Sequence, residues 1–222
     1  MKNRIMARST FIFLTFFLTG FCLSGQNIQE ISVPVFNDRY SELVKQLEAG
    51  KTDIDYREFR DSFIESRQFV VASKMKTEFD KLKKEMFVQL NNSNSQEVLS
   101  ITKAMLSIDY TNILAHKILR QTYNLLGDTL NAQKYRTIQF GLLNSIVKNG
   151  DGTSFKTAWH VIQVNEEYFI LQMLGVEVLK QSLIVKDGKF DKMDVKTEDG
   201  DTKSYYFDVS KVFEGYERQR VK

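Results

Sequence analysis

The spacing of apolar residues divides the chain into a helical first part and a strand-rich second part. From residue 37 to about residue 147, apolar residues recur every three or four positions, as on the buried face of an amphipathic helix. Beyond Gly150 and Gly152 they alternate with polar residues, which is the period of a strand. The pattern predicts an α+β protein, with antiparallel helical hairpins followed by a small antiparallel β-meander that carries one short helix.

The first part is predicted to hold six helices, each with one apolar stripe. Asn37 or Asp38 is the predicted N-cap of the first helix, which Gly50 ends, while Asp53 and Ser95 cap the second and fourth. The stripes are, in chain order, Tyr40, Leu43, Val44 and Leu47; Tyr56, Phe59 and Phe63; Met75, Phe79, Leu82, Met86 and Leu90; Val98, Ile101 and Met105; Ala115, Leu119, Tyr123 and Leu126; Ala132, Tyr135, Ile138 and Leu142. Because each stripe covers one face, each helix is expected to pack on its neighbours along that face.

The last two of these helices are similar to a tetratricopeptide repeat. Leu119, Tyr123, Gly127 and Ala132 fall at the spacing of that repeat, in which a small residue lets the second helix approach the first. Arg120 departs from the pattern, because the repeat usually has a small residue there. The likeness implies a packed helical hairpin.

Turn residues separate the predicted elements of the second part. Asp187 and Gly188, and then Asp199 and Gly200, lie between alternating runs, and Asp-Gly favours a hairpin because both residues tolerate positive φ. The predicted elements are a strand at Trp159 and Val161, a short helix over residues 166–174, and strands marked by Leu179, Leu183 and Val185, by Asp191, Met193 and Val195, and by Tyr205, Phe207 and Val209. At the two ends, residues 26–36 are predicted to form an edge strand or a strap on the body, and the charged tail 217–222 is predicted to fray.

The beginning of the chain has the three parts of a secretory signal peptide. Lys2, Arg4 and Arg8 give it a positive start, and an apolar run over residues 11–23 follows. This run is too short to span a bilayer, which takes ~20 apolar residues. Small residues close the segment at positions 24 and 25. We therefore predict a signal peptide over residues 1–25 and a periplasmic or secreted protein.

The same segment carries the net charge and the only cysteine. The net charge of +3 equals the contribution of Lys2, Arg4 and Arg8, so the chain without them is formally neutral. A neutral chain with interleaved charges does not favour nucleic acid. Cys22 follows Phe21, where lipoprotein processing requires a small residue. We predict no nucleic-acid partner, no membrane span after signal cleavage and no lipid anchor at Cys22.

These boundaries leave a helical region over residues 26–148 and a small α+β region over residues 149–222. Candidate chemistry in them is sparse. His116 and His160 are the only histidines and no cysteine follows the signal, so no zinc-ligand spacing exists. Ser154 lies near His160, but no nucleophile-elbow motif surrounds it. The sequence predicts no catalytic residue, no cofactor and no metal site.

Acidic residues of the second region keep a hydrolytic alternative open. Glu166 and Glu167, together with Asp191 or Asp194, could supply the paired carboxylates that cleave a glycosidic bond. Adjacent glutamates also suit a helix N-terminus, where negative charge meets the helix dipole. The alternative function is therefore an envelope or glycan-processing hydrolase.

Two stretches of the chain carry a family resemblance. The first consists of Asp55, Tyr56, Phe59, Arg60, Ser62, Phe63, Ser66 and Phe69, and the second of Gly150 to Ser154, Thr157, Ala158, Glu166 to Phe169, Leu174, Gly175, Gln181 to Leu183 and Tyr206 to Asp208. In these residues the chain resembles an uncharacterised family of secreted bacterial proteins, a domain of unknown function. The resemblance implies a helical first half, a strand-rich second half and export, and it implies no activity.

The leading hypothesis for function is a non-catalytic module of the cell envelope that binds a protein or a peptide. Stacked helical hairpins leave a concave face that suits such a partner. Exposed arginine and aromatic side chains make the best anchors in a binding surface. Arg60, Tyr56 and Tyr110 are the candidate anchors, and core positions are the alternative for the two tyrosines.

Overall fold

A computed structural model describes residues 30–220 of the protein. The predicted signal peptide, with Cys22, lies outside the described residues. Within them the fold is α+β, as predicted: helices fill the first half, and a four-stranded sheet and a C-terminal helix follow. None of the helices in residues 30–220 is both long enough and apolar enough to cross a membrane.

Helices make up the first half of the described chain, and a short sheet interrupts them in the second. The first half contains α1 (Arg39–Glu48), α2 (Tyr56–Glu65), α3 (Arg67–Lys74), α4 (Lys76–Asn91), α5 (Ser95–Ile108), α6 (Ile113–Leu125) and α7 (Thr129–Val147). The second half contains a 3₁₀ turn (Phe155–Thr157), β1 (Trp159–His160), α8 (Val164–Met173), β2 (Glu177–Val185), β3 (Lys189–Lys196), β4 (Thr202–Asp208) and α9 (Ser210–Arg220).

The apolar stripes predicted from the sequence form the core. Phe59, Met105, Leu119 and Leu142 are fully buried on four different helices, and they belong to the same cluster as Phe207 of the sheet. At the ends of two stripes the prediction is wrong: Leu126 lies past the last turn of α6 and is 42% exposed, and Met75 precedes the first turn of α4 and is 37% exposed. Burial of this shared cluster supplies the main driving force for folding.

Polar side chains cap the helices, in two cases one or two residues from the predicted position. Asp38 caps α1, as one of the two predicted alternatives. Asp55 caps α2 in place of Asp53, and Asn94 caps α5 in place of Ser95. Polar residues one or two positions apart can cap a helix about equally well. The packing of the helix therefore decides which of them precedes its first turn.

Two helices were not predicted. α3 follows α2 directly and begins where Ser66 accepts a hydrogen bond from the amide of Phe69; its apolar residues form one consecutive run, Phe69–Ala72, and not a stripe at helical spacing. α9 includes residues 217–220 of the tail that was predicted to fray, and that prediction is wrong for them. Val212 and Gly215 of α9 are buried, and Gly215 lies against Phe69. α9 is thus held by packing on α2 and α3.

Residues 30–35 form a strap on the body and not a strand. Ile31 is buried, and the amide of Ser32 donates to Ser107 Oγ of α5 at 2.8 Å. Glu30 lies 3.6 Å from Lys103 Nζ of the same helix. No strand pairs with this segment among the described residues, which decides between the two predicted alternatives.

The sheet has the strand order β1-β4-β3-β2. β2, β3 and β4 form the predicted antiparallel meander, in which Leu183 lies opposite Asp191 and Met193 opposite Tyr205. β1 corrects the prediction: it has only two residues and pairs parallel with β4, so the sheet is mixed. The connection from β1 to β4 runs through α8, β2 and β3, so it is long enough for the two strands to pair in parallel.

Candidate functional site

A cleft of about 570 Å³ opens between α3, α4, α8 and α9. Phe69, Phe79, Phe169 and Tyr216 line it, one from each of these helices. Its volume lies in the range of small-molecule and peptide sites, and aromatic walls are typical of them. The cleft brings the helical region and the second region together at one surface.

Carboxamide side chains are a second feature of the lining. Asn165 and Gln172 of α8 line the cleft and make no side-chain hydrogen bond with another described residue. Gln219 of α9 donates to Ser73 Oγ of α3 at 2.8 Å, so these two helices are tied beside the cleft. Carboxamides can donate to and accept from a peptide backbone, which suits an extended ligand.

α4 contributes three charged residues to the lining of the cleft, apart from the buried carboxylates at its floor. Lys76 Nζ lies 2.9 Å from Asp80 Oδ2, so this pair is neutral as a unit. Lys83 also lines the cleft, and among residues 30–220 no carboxylate lies within ion-pair distance of it. The ammonium group of Lys83 is therefore available in the cleft to an anionic group on a ligand.

Below the cleft, a buried ion pair joins the two regions. Arg60 Nε of α2 donates to Glu166 Oε1 of α8 at 2.9 Å, and Arg60 Nη2 donates to Glu166 Oε2 at 2.6 Å. Arg60 is 0% exposed and Glu166 4%. Arg60 also donates to Ser145 Oγ and to the carbonyl oxygen of His160, and the amide of Ile162 donates to Glu166. Both charges are thus satisfied within the protein.

A second buried carboxylate, Asp109, lies beside this pair. Its oxygens accept from the amide and hydroxyl of Thr111 and from Gln163 Nε2 at 3.0 Å. Burial raises the pKa of Asp109, and the hydrogen bonds from Thr111 and Gln163 oppose that shift only in part. Asp109 and Gln163 both line the cleft, so the loop before α6 and the loop before α8 meet at its floor.

His160 lies between two carboxylates. Its Nε2 is 2.9 Å from Asp61 Oδ1, and its Nδ1 is 3.7 Å from Asp208 Oδ2, which is ion-pair distance and too long for a hydrogen bond. Burial by itself would lower the pKa of His160, but the attraction of Asp208 and Asp61 outweighs it and the pKa is raised. His160 thus links α2 to β4.

Glu167 is the most perturbed acid of α8. It is fully buried, and neither of its carboxyl oxygens receives a hydrogen bond from an amide or hydroxyl of the described residues. Burial first, and then the charges of Asp191 and Glu166, raise the pKa of Glu167 to about 9. The protonated carboxyl of Glu167 can donate to Asp191, which also accepts from Gln181 Nε2 at 2.6 Å.

The four acids of the hydrolytic alternative therefore occupy three separate environments. Glu166 pairs with Arg60 below the cleft, and Glu167 meets Asp191 between α8 and the sheet. Asp194 lies on the other face of β3, where Lys192 and Ser204 bind it. Only Glu166 lines the cleft.

The remaining candidates are also placed by the structure. Ser154 Oγ hydrogen bonds with Thr157 at 2.9 Å, while the ring of His160 is held by the two carboxylates described above. His116 is buried in the helical region and contacts the carbonyl oxygen of Tyr110 at 2.7 Å. No group of three or more potential metal ligands occurs within residues 30–220.

The three anchors predicted for a partner are not exposed binding residues. Arg60 and Tyr110 are buried, and Tyr56 is half-buried and donates to the carbonyl oxygen of Thr52. The prediction fails because the identity of a single residue does not show which face of its helix is exposed to solvent. The aromatic cleft residues that take their place, Phe69 and Phe79, look in the sequence like ordinary core positions.

The chain matches a family model over residues 28–218, and that family is described as Domain of unknown function (DUF4919). The protein belongs to the DUF4919 family. The match spans both regions and includes the buried network and the residues that line the cleft, except Gln219. No curated protein and no solved structure matches the chain.

The two stretches that carry the family resemblance meet in the structure. Arg60 belongs to the first and Glu166 to the second, and they form the buried pair under the cleft. One signal for this pair is present in the sequence of α2. An arginine among the apolar residues of a buried helix face requires an acidic partner, because an unpaired buried charge is costly.

Proposed function

We propose that this protein is an exported, non-catalytic module of the cell envelope that binds a peptide or a protein segment in the cleft. One observation carries the proposal: the cleft has aromatic walls and unpaired carboxamides, while the two carboxylates at its floor are already bound, Glu166 by Arg60 and Asp109 by Thr111 and Gln163. Such a lining provides apolar contact area and backbone hydrogen bonds but no activated nucleophile. The tetratricopeptide-like hairpin of α6 and α7 agrees with a binding role.

The hydrolytic alternative is less well supported. A glycosidase needs a protonated carboxyl and a second carboxylate that both reach the substrate. Glu167 has the raised pKa that a general acid requires, but its side chain is fully buried and does not line the cleft. Buried acids beside a separate cleft favour binding over hydrolysis.

Selection from a random-peptide phage library tests the binding proposal. Phe79→Ala removes one wall of the cleft, and Phe87→Ala is a matched control on the same helix, since Phe87 is 43% exposed and does not line the cleft. We expect the native protein to enrich peptides whose affinity falls about tenfold or more in Phe79→Ala, as for a central aromatic anchor. We expect Phe87→Ala to bind them like the native protein.

Two results would contradict this proposal. One is a library selection that enriches no peptide above background. The other is an equal loss of affinity in Phe79→Ala and Phe87→Ala, which would place the binding surface elsewhere on α4.

Export is tested separately by cell fractionation and mass spectrometry of the N-terminus. We expect the protein outside the cytoplasm, with its first residue close to Gln26, because the signal pattern ends at Gly25. A cytoplasmic chain that retains Met1 would contradict export without affecting the cleft.

A further inference from the structure

Three cations of the helical region are partly buried and have no carboxylate partner. They are Lys83 of α4, and Lys117 and Arg120 of α6. Within residues 30–220, every other lysine or arginine that is buried or partly buried lies within ion-pair distance of an acidic side chain. The other unpaired cations of this part of the chain are exposed, so water solvates them. A cation that is shielded from water and has no acid beside it favours an anion from outside the protein.

Lys83 and Lys117 occupy equivalent positions in two successive helical hairpins, α4–α5 and α6–α7. The turn of each hairpin contains a residue with positive φ, Ser93 and Gly127, and the next residue caps the following helix in both. Helical hairpins of the tetratricopeptide type recur about every 34 residues, and these two turn residues are one such interval apart. Lys83 and Lys117 have the same separation. Each therefore lies at the same distance from the end of the first helix of its hairpin.

Both lysines reach the cleft. Lys83 lines it, and Lys117 Nζ lies 5.9 Å from the centre of the ring of Phe169, which lines it from α8. Arg120 follows Lys117 by one helical turn, and its Nε is buried without a hydrogen-bond partner among the described residues. An unsatisfied buried donor is costly, so an acceptor supplied by a ligand would be stabilised beside it.

The acidic residues that line the cleft are not available to these cations. They are Asp80, Asp109 and Glu166. Asp80 pairs with Lys76 and Glu166 with Arg60, and Asp109 accepts hydrogen bonds from two neighbouring polar side chains. The groups at the cleft that still lack a partner of opposite charge are therefore cations.

We propose that the segment bound in the cleft is acidic, with carboxylates that pair with Lys83 and Lys117. This inference rests on the proposed function, because it states the chemistry of the ligand for the same cleft. Cations on two helices suit carboxylates that are spaced along an extended chain. The carboxamides of Asn165 and Gln172 can pair with the amides of its backbone. They favour an acidic peptide over an oligonucleotide, whose backbone has no amides.

The peptides enriched from the phage library test the charge of the ligand. We expect Asp and Glu to be over-represented in them relative to the unselected library. In the peptide that binds most tightly, replacement of a contacting Asp or Glu by Asn or Gln should lower the affinity for the native protein about tenfold, as for the loss of one charge-assisted hydrogen bond. These replacements are made in the peptide, so they leave the fold of the protein intact.

Charge reversal in the protein locates the contacts. We expect Lys83→Glu and Lys117→Glu each to weaken binding of the acidic peptide about tenfold or more, because repulsion replaces an ion pair. Lys84→Glu is the matched control, since Lys84 is exposed, follows Lys83 on α4 and does not line the cleft. We expect this control to change the affinity less than about threefold. Thermal unfolding of the three variants separates a loss of binding from a loss of fold.

Four results would overturn the acidic ligand and leave the proposed function standing. They are enriched peptides without an excess of Asp and Glu, an affinity that survives the Asn and Gln replacements, an equal loss in Lys83→Glu and Lys84→Glu, and a single-stranded oligonucleotide that displaces the acidic peptide as well as an unlabelled copy of that peptide does. A library that yields no peptide would instead contradict the proposed function, and the charge of its ligand with it.

Discussion

The guanidinium of Arg60 on α2 forms a two-point hydrogen-bonded pair with the carboxylate of Glu166 on α8, and both side chains are buried. The two residues are 106 positions apart in the chain. Their pairing fixes α8, which lines the cleft, against the helical region. The position of the cleft wall thus depends on an interaction below it.

Removal of one partner from this pair should be strongly destabilising. We expect Arg60→Met to cost about 3–5 kcal/mol of unfolding free energy, because it leaves the Glu166 charge buried without its partner. Replacement of both, Arg60→Met with Glu166→Leu, should cost less than Arg60→Met alone, since no unpaired charge remains. Urea denaturation of the native protein and of the single and double variants measures this. A loss below about 1 kcal/mol in Arg60→Met would contradict the assignment.

Glu167 should make the protein less stable in alkali. Its pKa is about 9 in the folded protein against 4.5 ordinarily, so the folded state holds the proton more tightly than the unfolded state. The contribution of Glu167 to the free energy of unfolding is complete below about pH 4.5 and is lost as pH rises through 9. The loss is up to about 1 kcal/mol per pH unit. We expect Glu167→Gln, which keeps a donor for Asp191, to flatten this slope and to be more stable than the native protein at pH 9.

Thermal or urea unfolding from pH 5 to pH 9 measures the effect of Glu167→Gln. Glu177→Gln is the control, because Glu177 is exposed on β2 and should leave the slope unchanged. Parallel pH profiles of the native protein and of Glu167→Gln would show that Glu167 titrates normally.

The two histidines should titrate on opposite sides of their ordinary pKa. Burial lowers the pKa of His116 to about 4, whereas Asp208 and Asp61 outweigh burial at His160 and raise its pKa above 6.5. NMR of the imidazole nitrogens measures both values. We expect Asp208→Asn to lower the pKa of His160 and to leave His116 unchanged.

The same shifts have opposite effects on stability. His160 stabilises the folded state below about pH 6.5, and this contribution is lost as pH rises through the pKa of His160 in the folded protein. His116 stabilises the folded state above about pH 6.5, and that contribution is lost as pH falls towards 4. Identical titration of the two rings would refute the burial and contacts described for them.

Gly150 should not tolerate a side chain. A Cβ atom there would lie 2.1 Å from the carbonyl oxygen of Thr157, a backbone atom that cannot rotate away. We expect Gly150→Ala to cost about 2–3 kcal/mol through overpacking. Gly200→Ala is the control, because a Cβ at Gly200 meets no atom within 4 Å and only its positive φ opposes the change, at about 1 kcal/mol. Chemical denaturation compares the two, and an equal loss would contradict the steric argument.

The sequence predicted those features of the fold that depend on local patterns. The helical stripes and the Asp-Gly turns at Gly188 and Gly200 were found, because amphipathic period and turn conformation are properties of a few neighbouring residues. α3 and α9 were missed because they lack a clear stripe and are held by contacts such as that between Gly215 and Phe69. Such contacts exist only after distant segments have met.

The candidate site shows the same division. The α+β fold, with its helical hairpins and its meander, could be predicted from the sequence because apolar period and turn residues act locally. The pairing of Arg60 with Glu166, the burial of Glu167 against Asp191 and the cleft lined by Phe69 and Phe79 are visible only in the folded protein. The physical reason is that burial and charge pairing depend on which faces are brought together, and residues far apart in the chain supply those faces.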